Sequence, residues 1–137
     1  MALSVLRPIT VKAIVTAELQ ASLLADIRQA VENAERELQQ LDFQGKKMLL
    51  DLERKHPDRL PGFQQQLEAE RQKRQEMKKE LLQRLAAVEA FSLGQEVVHS
   101  TVQGLCTVAL GQRWSEVQSA EIVLKDDVVV EIRGLEV

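Results

Sequence analysis

Ala17, Gln20, Leu24, Ile27, Val31, Ala34, Leu38, Leu41, Gly45, Met48 and Leu52 follow one another at steps of three and four without exception. That is the a/d repeat of a helix that buries one seam against a partner helix, and it restricts the fold more than any other property of the chain. From Ala17 to about Lys55 only Gly45 interrupts the helix formers, and one glycine costs about 1 kcal/mol against alanine, too little to end so long an amphipathic segment. At ~1.5 Å per residue such a helix is on the order of 58 Å long. A compact domain cut from 137 residues cannot enclose a rod of that length, so the rod is expected to project.

The run His56 to Gly62 (HPDRLPG) stops it. Pro57 disfavours helical geometry at His56, and Pro61 and Gly62 follow at once. Helix formers resume from about Pro61 and continue to Phe91, and so short a connection makes the two helices antiparallel neighbours. Residues 16–91 are therefore predicted to form a helical hairpin with its turn at 56–62, Val31 opposite Ala86 and Leu41 opposite Glu76. The repeat continues into the second helix as Leu67, Glu70, Arg74, Met77, Leu81, Arg84, Val88 and Phe91. This half of the seam is partly charged, so the hairpin reads as a solvated coiled coil or as a seam that another chain completes.

The flanks read as strand. Ile9, Val11, Ala13 and Val15 alternate along a β-branched run that begins at Pro8, and proline, lacking an N–H, places that strand's start there or puts it on an edge. Thr16 is a good N-cap, with Glu18 in the first turn behind it. After Leu93 and Gly94 the pattern predicts strands over Glu96 to Gln103 and Leu105 to Leu110, with Gly104 and Gly111 as punctuation, then a loop or short helix around Trp114. A closing hairpin with a three-residue turn at Lys125, Asp126 and Asp127 would set Leu124 against Val128 and Ile122 against Val130, with a left-handed residue at Asp127. The expected fold is α+β: a long antiparallel coiled-coil hairpin projecting from a small, mostly antiparallel sheet or partly open barrel. Residues 1–15 and 92–137 would make the β domain, which includes the N-terminal strand.

The order of strand, long helical hairpin, GQEVVHSTVQG, GQRW and finally EIVLKDDVVVEIRG resembles the YlqD-like family of bacterial proteins. The resemblance spans the whole chain and is most specific over its last third, where Asp127 stands at a position usually held by glycine. It implies the architecture above and supplies no catalytic residues, the family being without an assigned activity.

Nothing in the residues themselves specifies a reaction. His56 and His99 fall on different elements, and with Cys106 they show no metal-ligand spacing. A nucleophile pair of Cys106 and His99 is conceivable across a hairpin, but Cys106 lies in an apolar run and reads as a small buried hydrophobe. His56-Pro57-Asp58 matches the tripeptide that J-domain co-chaperones carry between two antiparallel helices, although the preceding helix here is far too long, and a turn built from proline and aspartate explains it as well. No catalytic, cofactor or metal site is expected. The net charge of -3 and the acidic end, with seven acids against three bases after Phe91, disfavour a protein that coats nucleic acid, and the low aromatic content removes base-stacking platforms. Lys46, Lys47, Arg71, Lys73, Arg74, Lys78 and Lys79 do gather basic charge on the hairpin, so an RNA- or ribosome-associated factor is the alternative reading, with Glu68, Glu70, Glu76 and Glu80 opposing it. One cysteine and no long apolar run point to a reducing, cytoplasmic setting.

What remains is binding. Phe43 and Leu50 fall seven apart at heptad position f, opposite the seam, with Lys46 and Lys47 between them. Position f normally faces water, so these residues form an apolar stripe that the hairpin cannot bury. The expectation is a non-enzymatic interaction or scaffolding protein that engages a protein partner, or most simply a second copy of itself, through Phe43, Lys46, Lys47 and Leu50.

Overall fold

The computed structural model describes residues 1–118 and 120–134. The elements in order are β1 (Ala2–Ile14), α1 (Ala17–Lys55), a 3₁₀ turn (Pro57–Arg59), α2 (Leu60–Glu89), β2 (Glu96–Ala109), α3 (Trp114–Gln118), β3 (Glu121–Lys125) and β4 (Val128–Arg133). They divide into two compact units, Met1–Ala21 with Phe91–Val137, and Ser22–Ala90.

The first unit is an open four-stranded sheet in the order β2-β1-β3-β4. β1 pairs antiparallel with β2 and parallel with β3, and β3 pairs antiparallel with β4, so the sheet is mixed but mostly antiparallel. Ile9, Val11, Ala13 and Val15 are buried as the alternation predicts, joined by Val117, Ala120 and Val123. Glu96 and Arg133 belong to the two outer strands and meet at 2.6 Å, so the sheet curls towards closure without its edges pairing.

Three strand boundaries differ from the sequence expectation, each for a physical reason. β1 starts at Ala2 and runs through Pro8, because the bond from Thr10 N–H to the Ala120 carbonyl points the N–H groups of Thr10 and, by alternation, Pro8 towards the β3 side. β3 pairs only from Thr10 onward, so the N–H that proline lacks would have had no partner. β2 is likewise one strand rather than two, and Gly104 sits inside it opposite Arg7. A Cβ at Gly104 would run into the side chain of Ile9, so the glycine makes room for a core residue and ends nothing. Finally, the β3–β4 connection is a two-residue turn, with Lys125 opposite Val128 and positive φ at both Asp126 (48°) and Asp127 (65°). A register shift between Val123 and Leu124 then sets Ile122 against Ile132: a β-bulge absorbs the offset that the three-residue turn was invoked to supply.

Thr16 caps α1 as expected, its hydroxyl accepting from Leu19 N–H at 3.2 Å while donating to Asp126 Oδ1 at 2.8 Å. Arg7 is buried at 7% exposure and donates to the carbonyls of Glu116, Val117 and Gly134. A buried arginine thus satisfies carbonyls at the end of α3, which a five-residue helix cannot satisfy itself.

The second unit is the helical hairpin. On α1 the less exposed residues follow the predicted repeat from Leu24 to Gly45, then shift to Leu49 and Leu52, leaving Met48 53% exposed. On α2, Lys78 and Leu85 take the inner places predicted for Met77 and Arg84. Gly45 marks a close approach of the helices, since a Cβ there would lie 2.7 Å from a methyl of Leu67.

Candidate functional site

At 100° per residue, Phe43 and Leu50 lie only about 20° apart on the surface of α1 and point away from Gly45. Both are open to solvent, Phe43 at 64% and Leu50 at 62%. Lys47, one turn after Phe43, holds its ammonium 5.2 Å from the ring centroid, a cation–π contact that fixes the ring on the helix surface. Lys46 goes elsewhere. It lines a depression of about 400 Å³ between the helices with Asp42, Leu49, Gln64, Leu67 and Arg71. The structure therefore brings together three of the four expected residues, Phe43, Lys47 and Leu50, and turns Lys46 towards the flank. Met48 and, on α2, Met77 are exposed apolar residues that the repeat conceals, because it places them in the seam that Leu49 and Lys78 occupy.

Arg71, Arg74 and Lys78 are engaged with acids, mostly across the two helices rather than along one. Arg71 reaches Asp42 at 3.4 Å, Lys78 reaches Glu35 at 3.3 Å, and Arg74 bridges Glu70 at 3.0 Å on its own helix to Glu37 at 3.5 Å on the other. These pairs also place the fold-back about one turn away from the predicted opposition of Leu41 and Glu76. Glu70 and Arg74 are charged seam positions, and each partners the other. That is how a polar seam is accommodated without burying a lone charge.

His56, Pro57 and Asp58 form the turn between α1 and α2, with His56 at φ -144° and Pro57–Arg59 in a 3₁₀ turn. His99 and Cys106 lie on the same strand, β2. Seven residues of extended chain separate them by about 23 Å, so the hairpin that would have set them side by side does not exist. His99 is the extra residue of a β-bulge, because Val11 pairs with Ser100 and Lys12 with Val98. It lines a cavity of about 320 Å³ with Ala13, Leu19, Leu124 and the carboxylates of Glu18, Asp126 and Asp127. Among the described residues no group of three or more His, Cys, Asp or Glu side chains is placed to hold a metal ion, and no helix is long and apolar enough to cross a membrane.

The densest charge cluster is on the sheet. Arg133 donates to Glu96, Glu121 and Glu131 at 2.6–3.3 Å, and Lys12 reaches Glu121 at 3.0 Å. Arg133 holds the carboxyls of Glu96 and Glu131 below the ordinary carboxylate value, Lys12 and then Arg133 do the same for Glu121, and the guanidinium is raised in return. Three acids share two bases here, and the arrangement ties strands together rather than activating a group.

Comparison with known proteins agrees with this architecture. The uncharacterized protein YlqD of Bacillus subtilis (strain 168) is 30% identical over 132 residues, which cover 96% of this chain and 98% of that protein. A crystal structure of a protein of unknown function from Synechococcus sp. WH 8102 superposes with a TM-score of 0.82 at 27% identity, over 97% of this chain and 95% of that one. The sequence pattern described as YlqD protein matches residues 3–133, and the chain belongs to the YlqD family.

Proposed function

We propose that this is a non-enzymatic interaction protein that docks a protein partner along the outer face of α1. The observation that carries the reading is the pair Phe43 and Leu50, more than 60% exposed on the side of the helix that α2 does not cover. Single exposed apolar residues are ordinary on a soluble protein. Two on one stripe, with Lys47 posted over the ring, have the make-up of a small hot spot: an apolar anchor bordered by charge. Burying both side chains would contribute about 3 to 6 kcal/mol before the costs of association. The pairing of Arg71, Arg74 and Lys78 with acids supports protein over RNA as the ligand.

The test compares the natural chain with Phe43→Glu combined with Leu50→Glu, each used as bait in extract of the native cell at low and high salt. The reading expects a partner that the natural chain retains at both salt concentrations and the double variant loses. An unchanged set of captured proteins would contradict it. Capture that vanishes steeply with salt would point instead to phosphate contacts.

A further inference from the structure

Beyond this surface, and independently of it, we infer that the chain forms a homodimer by antiparallel pairing of the β2 edges of two copies about a two-fold axis at Gly104. β2 is an outer strand, so alternate residues turn both N–H and C=O away from β1. Two bonds identify which. Thr10 N–H points to Ala120 on the other side of β1, so its partner Thr101 faces outward, and the unshifted ladder from Thr10 to Ala2 makes Gln103, Leu105, Thr107 and Ala109 do the same. The assignment is checked at its far end, where Ala109 N–H donates to Gln112 Oε1 at 2.8 Å and the Ala109 carbonyl accepts from Gln112 N–H at 3.3 Å. Gln112 therefore caps the edge at one end and the His99 bulge bounds it at the other. Among the described residues nothing pairs with the outward backbone groups of Thr101, Gln103, Leu105 and Thr107, which lie along a regular stretch.

A second copy satisfies all four at once. With Gly104 opposite Gly104 of the second copy, Gln103 pairs with Leu105 and Thr101 with Thr107. The neighbouring symmetric register, centred on Leu105, would need Ala109, which is already taken. The occupant is a second copy because the strand holds no Asp, Glu, Lys or Arg from Val97 to Ala109, so its antiparallel copy meets it with no like acids or bases opposed. An edge without lysine, proline or another charged residue is also what an edge meant to remain unpaired avoids. β4, the other edge, shows the contrast, with its bulge and the charged Glu131 and Arg133. The ribbon itself needs cover. Where Ala2 to Leu6 pair with Leu105 to Ala109 there is no third strand among the described residues, yet Leu3, Leu6 and Leu105 are 66–73% exposed. Two strands alone are marginally stable in water.

The register can be read directly. It sets residue 102 opposite Cys106 of the second copy in a non-hydrogen-bonded pair, about 4.5 Å between Cα atoms, within the range a disulfide spans. Within one chain the same positions lie about 13 Å apart. The full-length Val102→Cys variant, exposed to oxidised glutathione, is expected to give a covalent dimer whose linked peptides join the introduced thiol to Cys106. The natural chain should be a dimer by light scattering and should not form that link. Leu105→Pro, which removes an outward N–H and leaves the β1 ladder intact, should be monomeric. A monomeric natural chain, or a dimer in which Val102→Cys gives no 102–106 link, overturns the inference. So does a dimer abolished by Phe43→Glu with Leu50→Glu but not by Leu105→Pro, which would place self-association on α1.

Discussion

Asp126 and Asp127 both hold positive φ in the turn between β3 and β4, a conformation that costs an L-residue about 1 kcal/mol and glycine nothing. Asp126 is retained by the hydroxyl of Thr16, which donates to it. Among the described residues no such bond involves Asp127. Asp127→Gly is expected to stabilise the protein by roughly 0.5 to 1 kcal/mol, since the relief of strain exceeds the added unfolded-state entropy. Thermal unfolding measures it, and a lowered midpoint would contradict the turn. Arg133 is the other residue with a distinct prediction. Glu96, Glu121 and Glu131 titrate below the ordinary value of 4.5 when folded. Their contribution to stability is therefore complete above that value and is lost as pH falls through the depressed folded values. In Arg133→Met all three carboxyls should titrate closer to their ordinary value by carbon-detected NMR, and stability should fall less between pH 5 and pH 3 than in the natural chain. An unchanged titration of Glu96 would mean that the contact is not held in solution.

Among the elements, the helices were legible and the strands only in part. Heptad spacing reports a helix, and Pro57 with Gly62 its turn, because both act through local geometry. Pro8 and Gly104 misled for the opposite reason: whether a proline breaks a strand depends on which neighbour its N–H would face, and whether a glycine does depends on what lies across the sheet. The site divides the same way. Phe43 and Leu50 were visible because position f is set by the repeat, whereas Met48 was hidden by the shift after Gly45, which follows from the close approach of Leu67. That approach gives a prediction at this scale. Gly45→Leu should destabilise by roughly 1 to 3 kcal/mol through overpacking, while Gly45→Ala should be close to neutral, the gain in helix propensity offsetting the displacement of a flexible Leu67 methyl. Equal tolerance of both in chemical denaturation would mean that the helices do not touch there.

At the scale of the whole molecule, exposed apolar surface is what the proposed docking draws on. Ion pairs tie strands together around Arg133 and link the helices of the hairpin, and exposed large apolar side chains lie on the outer face of α1, on the β1–β2 ribbon and along β4. The central claim, that the outer face of α1 is where a partner docks, is tested most directly by a photoreactive phenylalanine placed at position 43 in the native cell. The same group at Gln72, an exposed residue of α2, is the control. The account predicts a discrete protein adduct from position 43 and none from position 72. No adduct from position 43, or the same adducts from both positions, would contradict it.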